Sequence, residues 1–432
     1  MTNGLSSEEA APASFRWLTP GLRPPVSMNW RQEKIFLLVG AAAFFAGYDQ
    51  NVYGLATPQI QASLHIPENQ LGLTLTYFRS ATLISLLIAA SADLVGRRRL
   101  LLVTLFGQGL FTLLTAFAPD YASFVGAQIL TRVFGYAEEM LCFVVVAEEI
   151  AAGARGWANG TLASLNYFGA GIASLLFAAV TILPYGWRSL YAFGAGAIFL
   201  VAFLRRQLPE TRRFVTLEST QKTVSKFTET MTLLHGLVTE YPGRIATVLI
   251  AAAGFGFATA PAFFLQSKFL QSVYHYQAWQ TSAVFIPGGL VGLAMAIRSG
   301  RFSDKLGRKP VVLAIAALAG ISFYLFYAGA PGWAMPPLWI LSFFGFFAGD
   351  ALIAGFALEI VPTQYRATVS GLRYVASISA GALSLALEGR LYDHFGGHAP
   401  ALQTLLCTIP ITLLAVLFLP EPAGKSLEEI AA

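Results

Sequence analysis

Arg132, Glu138 and Glu139 stand in TRVFGYAEEM, residues 131–140, inside a stretch that is otherwise apolar. On a helix at about 100° per residue, Arg132 and Glu139 share a face roughly 10 Å apart along the axis, and Glu138 points about a quarter-turn away. Two more charges interrupt apolar runs: Asp49, in GYDQNVYG (residues 47–54), and Arg79. A carboxylate can change its charge, whereas an arginine cannot, and a guanidinium beside a carboxylate drives its proton off. Asp49 paired with Arg132 can therefore load and release a proton, with Glu139 as a further proton-handling group. The bland alternative is a static buried ion pair that only holds two helices together.

Arg79 is then an extra cation, and its planar fork suits a carboxylate or phosphate. Glu138 or Glu139 can equally neutralise it. Gln50, Asn51 and Tyr53 add amide and hydroxyl groups near Asp49, and Tyr53 falls on the Asp49 face by its four-residue spacing. Asn166, Tyr167, Gln266 and Asp350 complete the set of candidate substrate contacts. Each of the neutral residues also reads as a polar packing residue between helices. Several phenylalanines between Phe255 and Phe347 can supply an apolar wall.

The elements that must position these groups are long apolar helices. Of the 432 residues, 56% are hydrophobic and 12% charged, about half the charge of a soluble chain. Apolar runs of about 18 or more residues, each long enough to cross a hydrocarbon core, recur along the chain. They predict twelve helices, near residues 35–59, 71–93, 100–118, 122–150, 157–183, 187–207, 243–269, 279–299, 309–330, 335–361, 367–391 and 400–420. The strict alternation of membrane strands is absent. The first 30 residues lack the apolar core of a cleaved signal peptide. Basic residues, including Arg97–Arg99, Arg155, Arg205, Arg206, Arg301 and Arg366, cluster in alternate connections, which predicts that both termini are cytoplasmic. The +5 net charge thus reflects loops facing the cytoplasm rather than a nucleic-acid surface. Cys142 and Cys407 both fall in predicted spans, which argues against disulfides or a cysteine metal site.

The chain also repeats itself. DLVGRR at 93–98 recurs as DKLGRK at 304–309, 211 residues later, and the same offset relates Glu139 to Asp350, Glu148 to Glu359 and Arg155 to Arg366. A duplicated six-helix unit follows. The expected organisation is a cytoplasmic tail (1–30), a first bundle (31–207), a central loop (208–242), a second bundle (243–420) and a tail (421–432).

GRFSDKLGRK, residues 300–309, resembles the cytoplasmic loop signature of the major facilitator superfamily, and AASADLVGRR, residues 89–98, resembles its first-half counterpart. The latter departs from the pattern at Ala89, usually Gly, and at Leu94, usually basic. LPETRRF at 208–214 and PEPAGKSLEE at 420–429 are similar to the end-of-bundle signatures of the sugar-porter and organic-ion branch. The resemblance implies an all-α membrane protein with two pseudo-symmetric six-helix bundles. It implies transport by rocking those bundles about a midplane site. It also supports the helix 1 Asp and helix 4 Arg as the coupling pair. Asp93, Arg97, Arg98, Glu148 and Arg155, with Asp304, Arg308, Glu359 and Arg366, form the expected cytoplasmic gate, whose bland reading is loop anchoring. The region from Ile245 to Leu270 lacks the paired glutamines that sugar porters use, so a sugar substrate loses ground. The helix near 157–183 lacks the Gly-Pro pair of drug antiporters.

The expectation is a proton-coupled symporter of a small, anionic organic metabolite, a monomer in the plasma membrane or a bacterial inner membrane. A proton antiporter exporting an amphipathic compound or lipid is the second transport reading, and a non-transporting sensor the reading from another class. No catalytic constellation, metal set or phosphate-binding glycine loop is present, so no enzyme activity and no cofactor are expected. His394 and His398, four apart, read as a polar loop rather than a metal site.

Overall fold

The structure is a computed structural model that describes residues 15, 18, 23–206, 232 and 235–421. The two tails and most of the central connection named above lie outside those residues. No strand occurs among the described residues. The helices are α1 (Trp30–Leu64), α2 (Leu71–Ala90), α3 (Ala92–Val95), α4 (Arg97–Ala116), α5 (Tyr121–Glu149), α6 (Arg155–Phe177) and α7 (Trp187–Arg205). The second series is α8 (Pro242–Phe264), α9 (Gln266–Val273), α10 (Ala278–Leu306), α11 (Arg308–Tyr327), α12 (Met335–Glu359), α13 (Arg366–Phe395), α14 (His398–Leu406) and α15 (Ile409–Phe418). Each of the twelve predicted spans coincides with a helix or with one broken helix.

Among the described residues, ten helical stretches are long and apolar enough to cross a membrane. Helix α5 runs 29 residues but falls outside that set by composition, since Arg132, Glu138 and Glu139 lie within it. Asp120 starts α5 by accepting the Ser123 N–H at 2.9 Å. That backbone hydrogen bond holds its carboxyl below the usual range, because it favours the charged form.

Two compact units emerge. One contains Met1–Tyr53, Ala81–Leu176 and Leu183–Thr223, the other Gly54–Ser80, Phe177–Ile182 and Val224–Ala432. Between Tyr53 and Gly54 the chain nears a break in α1, where Pro58 lies inside the helix and Ala56 leaves helical geometry (φ −96°, ψ 15°). Proline removes a backbone donor and crowds the preceding turn. The neighbouring Leu55 carbonyl accepts from Ser267 Oγ and Gln271 Nε2 of α9, at 3.1 and 2.9 Å.

Close helix packing in each unit rests on small residues. A Cβ on Gly169 of α6 would lie 1.8 Å from the Phe44 carbonyl of α1, and one on Gly47 would lie 1.9 Å from the Asn166 carbonyl. In the second unit a Cβ on Gly256 of α8 would lie 2.4 Å from the Ser377 carbonyl of α13. Ser377 is the repeat equivalent of Asn166 at the 211-residue offset, so in both units a glycine meets the same position of the facing helix. Gly169→Val is therefore expected to destabilise by about 1–3 kcal/mol through overpacking. Gly171→Ala, which meets nothing within 4 Å, leaves the thermal midpoint unchanged. Fluorescence-detected melting of the two variants checks this pair of results.

Candidate functional site

In the first unit, α1, α4 and α5 bring together the groups singled out in the sequence. Asp49 is 1% exposed. Thr112 of α4 donates to its Oδ1 at 3.2 Å, and Oδ2 has no hydrogen-bond partner among the described residues. Arg132 of α5 is 4% exposed and acts electrostatically on Asp49. Its recorded hydrogen bonds run from Nη2 to the Gln50 carbonyl at 3.2 Å and to Gln128 Oε1 at 3.5 Å. Gln50 is the connector. Its carbonyl receives Arg132, and its Nε2 donates to Glu139 Oε2 at 3.2 Å. One residue of α1 thus contacts both charges on the Arg132–Glu139 face of α5, as their seven-residue spacing requires.

The other first-unit candidates lie nearby on α1 and α6. Asn51 Nδ2 donates to the Gly47 carbonyl one turn earlier, at 2.8 Å. Tyr53 is 1% exposed, with its ring 6.0 Å from Phe124. Tyr48, beside Asp49, donates its hydroxyl to the Leu190 carbonyl at 2.8 Å. Asn166 keeps a buried Nδ2 without a hydrogen-bond partner among the described residues, which leaves it able to meet a ligand.

Glu138 has a different destination from Glu139. It forms an ion pair with Arg205 of α7, accepts from Thr104 Oγ1 and meets Cys142. Arg205 is fully buried and also donates to the Leu38 carbonyl at 3.3 Å. The sequence reading placed Arg205 with the cytoplasmic loop cations. Folding instead turns it into the bundle, because an acidic partner waits a quarter-turn from the Arg132 face. The sequence offered Arg79 as a partner for Glu138, and the structure gives Glu138 to Arg205 instead.

In the second unit Arg79 packs beside Gly381 of α13, with its guanidinium carbon 5.5 Å from the centre of the Phe264 ring. Asp350 of α12 pairs with Arg373 of α13 at 2.7 Å. Arg373 is 5% exposed and was missed in the sequence, although it lies two turns beyond Arg366 in an apolar helix. Gln266 donates to Ser342 Oγ at 2.7 Å. Phe263 stacks on Phe346 at 4.4 Å, and Phe347 meets Phe263 edge-on at 5.4 Å, so part of the predicted aromatic surface joins α8 to α12.

The signature-loop residues pair within each unit. Arg97 Nη2 meets Glu148 Oε1 at 3.0 Å. Arg308 grips Glu359 with Nε and Nη2, at 2.9 and 2.7 Å. Arg98 donates to the Arg206 carbonyl at 2.9 Å, and Arg155 to the Ile150 carbonyl at 3.1 Å. Arg366 starts α13 half-buried. The Asp93 and Asp304 side chains lie outside the described residues. A groove of about 670 Å³ on α4, α5 and α7, lined by Phe106, Phe111, Phe134 and Phe199, includes none of the predicted site residues.

An all-helical chain with many apolar spans, an internal duplication and buried charges is the construction of a membrane transporter. Residues 39–385 match the family model of the Major Facilitator Superfamily, and the chain belongs to that family. It is a multi-pass membrane transport protein, not an enzyme. It is 26% identical to a putative metabolite transport protein of Haemophilus influenzae, over 90% of this chain and 97% of the relative. It is 25% identical to the citrate-proton symporter of Salmonella typhi, over 86% of each. The crystal structure of a D-xylose-proton symporter superposes with a TM-score of 0.72 at 18% identity, over 91% of this chain and 99% of that one, a likeness of fold.

Proposed function

We propose that the protein is a proton-coupled symporter that carries a small organic anion across the membrane by alternating access. Asp49 takes up and releases the coupled proton. Arg132 stabilises its charged form, and Glu139, tied to α1 through Gln50, belongs to the same relay. The observation that carries this reading is the buried Asp49 carboxyl with Thr112 on one oxygen and, among the described residues, no hydrogen-bond partner on the other. A permanently charged carboxylate there would carry a desolvation cost of several kcal/mol. A carboxyl that gains and loses a proton uses the same position productively.

Arg79 supplies the cation that orients the anion, by its sequence depth of nine or ten residues from the helix end. The citrate-proton symporter among the relatives is named for an organic anion moved with protons, which supports both parts of the reading. The Arg97–Glu148 and Arg308–Glu359 pairs are the fixed parts of a cytoplasmic gate, and both termini lie in the cytoplasm.

Reconstitution in liposomes that enclose a pH-sensitive dye tests the proposal. Small di- and tricarboxylates, sugars and cations are added singly. Proton entry triggered by one class of carboxylate is the expected result. Proton movement only with hydrophobic cations or lipids would replace symport with export, and Arg79 would lose its role.

A further inference from the structure

A second cluster of titratable groups lies within the second unit, at the end of α13 remote from Arg366. It draws on four separate elements. Glu68 begins the short turn before α2, Lys268 is in α9, Glu388 is in α13, and His398 is the first residue of α14. The left-handed Gly396 (φ 73°) ends α13 and turns the chain so that His398 folds back against it. Glycine, with no Cβ, takes that backbone conformation without strain.

Both imidazole nitrogens face carboxylates. Nδ1 lies 2.6 Å from Glu388 Oε1, and Nε2 lies 2.9 Å from Glu68 Oε2. The Glu388 side chain is 0% exposed, and its Oε2 has no hydrogen-bond partner among the described residues. Lys268 Nζ meets Glu68 Oε2 at 2.8 Å and donates to Gln61 Oε1. The Tyr392 ring centre is 4.5 Å from the imidazole. Tyr327 of α11 faces Glu388 electrostatically, and Asp393 accepts from Asn69 at 3.0 Å.

A neutral imidazole has one N–H and one lone pair. It can satisfy one of these carboxylates, while its lone pair would face the other oxygen at hydrogen-bond distance. Two carboxylates against one ammonium also leave a net negative charge beside the fully buried Glu388. One added proton on the ring removes both problems together, since both nitrogens then donate. We propose that Glu68, Glu388 and His398 form a second proton-binding site, separate from Asp49, whose bound proton fastens the α1–α2 connection to α13 and α14.

The sign of the pH dependence follows from linkage. The folded cluster holds a proton that the unfolded chain holds less tightly, so its stabilisation is complete at low pH and fades as pH rises through the folded-state titration. The full-length protein in detergent is melted from about pH 5.5 to about pH 9, the range in which histidine charge changes in proteins, as wild type, His398→Gln and Glu388→Gln. The wild-type midpoint is expected to exceed that of His398→Gln by several degrees at the acid end and to converge on it at the alkaline end. In Glu388→Gln the amide can donate to Nδ1 while Nε2–H serves Glu68, so no added proton is needed. That variant is expected to keep its midpoint at alkaline pH and lose the wild-type slope. A constant offset between wild type and His398→Gln, or an unchanged slope in Glu388→Gln, overturns the proposal. Should His398→Gln not fold, the slope of Glu388→Gln against wild type decides alone. None of these readouts uses transport, so they stand or fall apart from the role of Asp49.

Discussion

Asp49→Asn in liposomes is expected to lower proton-driven uptake roughly a hundredfold, the scale on which loss of one positioned proton-transfer group is felt. The substitution is nearly isosteric. Thr112 can still donate to the amide oxygen in place of Oδ1 at 3.2 Å, so the helices keep their packing and the protein its thermal midpoint. What disappears is the change of charge. Exchange of labelled for unlabelled substrate across the membrane needs no net proton movement, and it should survive. Loss of accumulation with retained exchange separates coupling from a structural role for Asp49. Uptake that still follows the proton gradient in Asp49→Asn would show that the proton travels elsewhere. Glu139→Gln, which keeps a hydrogen-bonding partner for Gln50 at 3.2 Å, then becomes the next variant to test.

Glu138→Ala is expected to act on stability. Its removal leaves Arg205, a fully buried guanidinium, without its counter-charge, a change that costs about 3–5 kcal/mol in comparable buried pairs. The measurement is thermal unfolding of purified protein, together with the fraction that elutes as a single folded species. The double variant Glu138→Leu with Arg205→Met removes both charges and keeps volume. It should recover most of the loss, since replacing a buried pair by packed apolar groups is often neutral. Thr104 and Cys142, which contact this pair, keep their packing in the double variant. An additive loss in the double variant would show that the two charges act independently. The contrast with Glu139 is the point of the experiment: two adjacent glutamates, one expected to change stability and the other to change transport.

These two acids also show how far the sequence can be read. Helical periodicity put Arg132 and Glu139 on one face, and the structure finds both on Gln50. It put Glu138 off that face, with Arg79 as the one partner offered for it. Arg205 could not be assigned because it comes 67 residues later at a helix end, where a basic residue reads equally well as a loop cation. The pair Glu148 and Glu149 behaves alike, with Glu148 on Arg97 and Glu149 on Arg31 at 3.6 Å. In each case neighbouring carboxylates diverge by about 100° and find separate partners.

The sequence by itself determined the class of protein. Apolar runs long enough to span hydrocarbon, the 211-residue repeat and the signature loops each follow from local composition and spacing, and the family match over residues 39–385 agrees with them. The tertiary structure alone decided the pairings. It placed Asn51 on its own helix, Asp350 on Arg373, Glu138 on Arg205, and His398 between two acids that lie 330 and 10 residues away in the chain. The physical reason is that hydropathy and periodicity are properties of one segment, whereas the partner of a buried charge is chosen by whichever helix packs against it. A buried charge requires a partner, but only packing specifies which one.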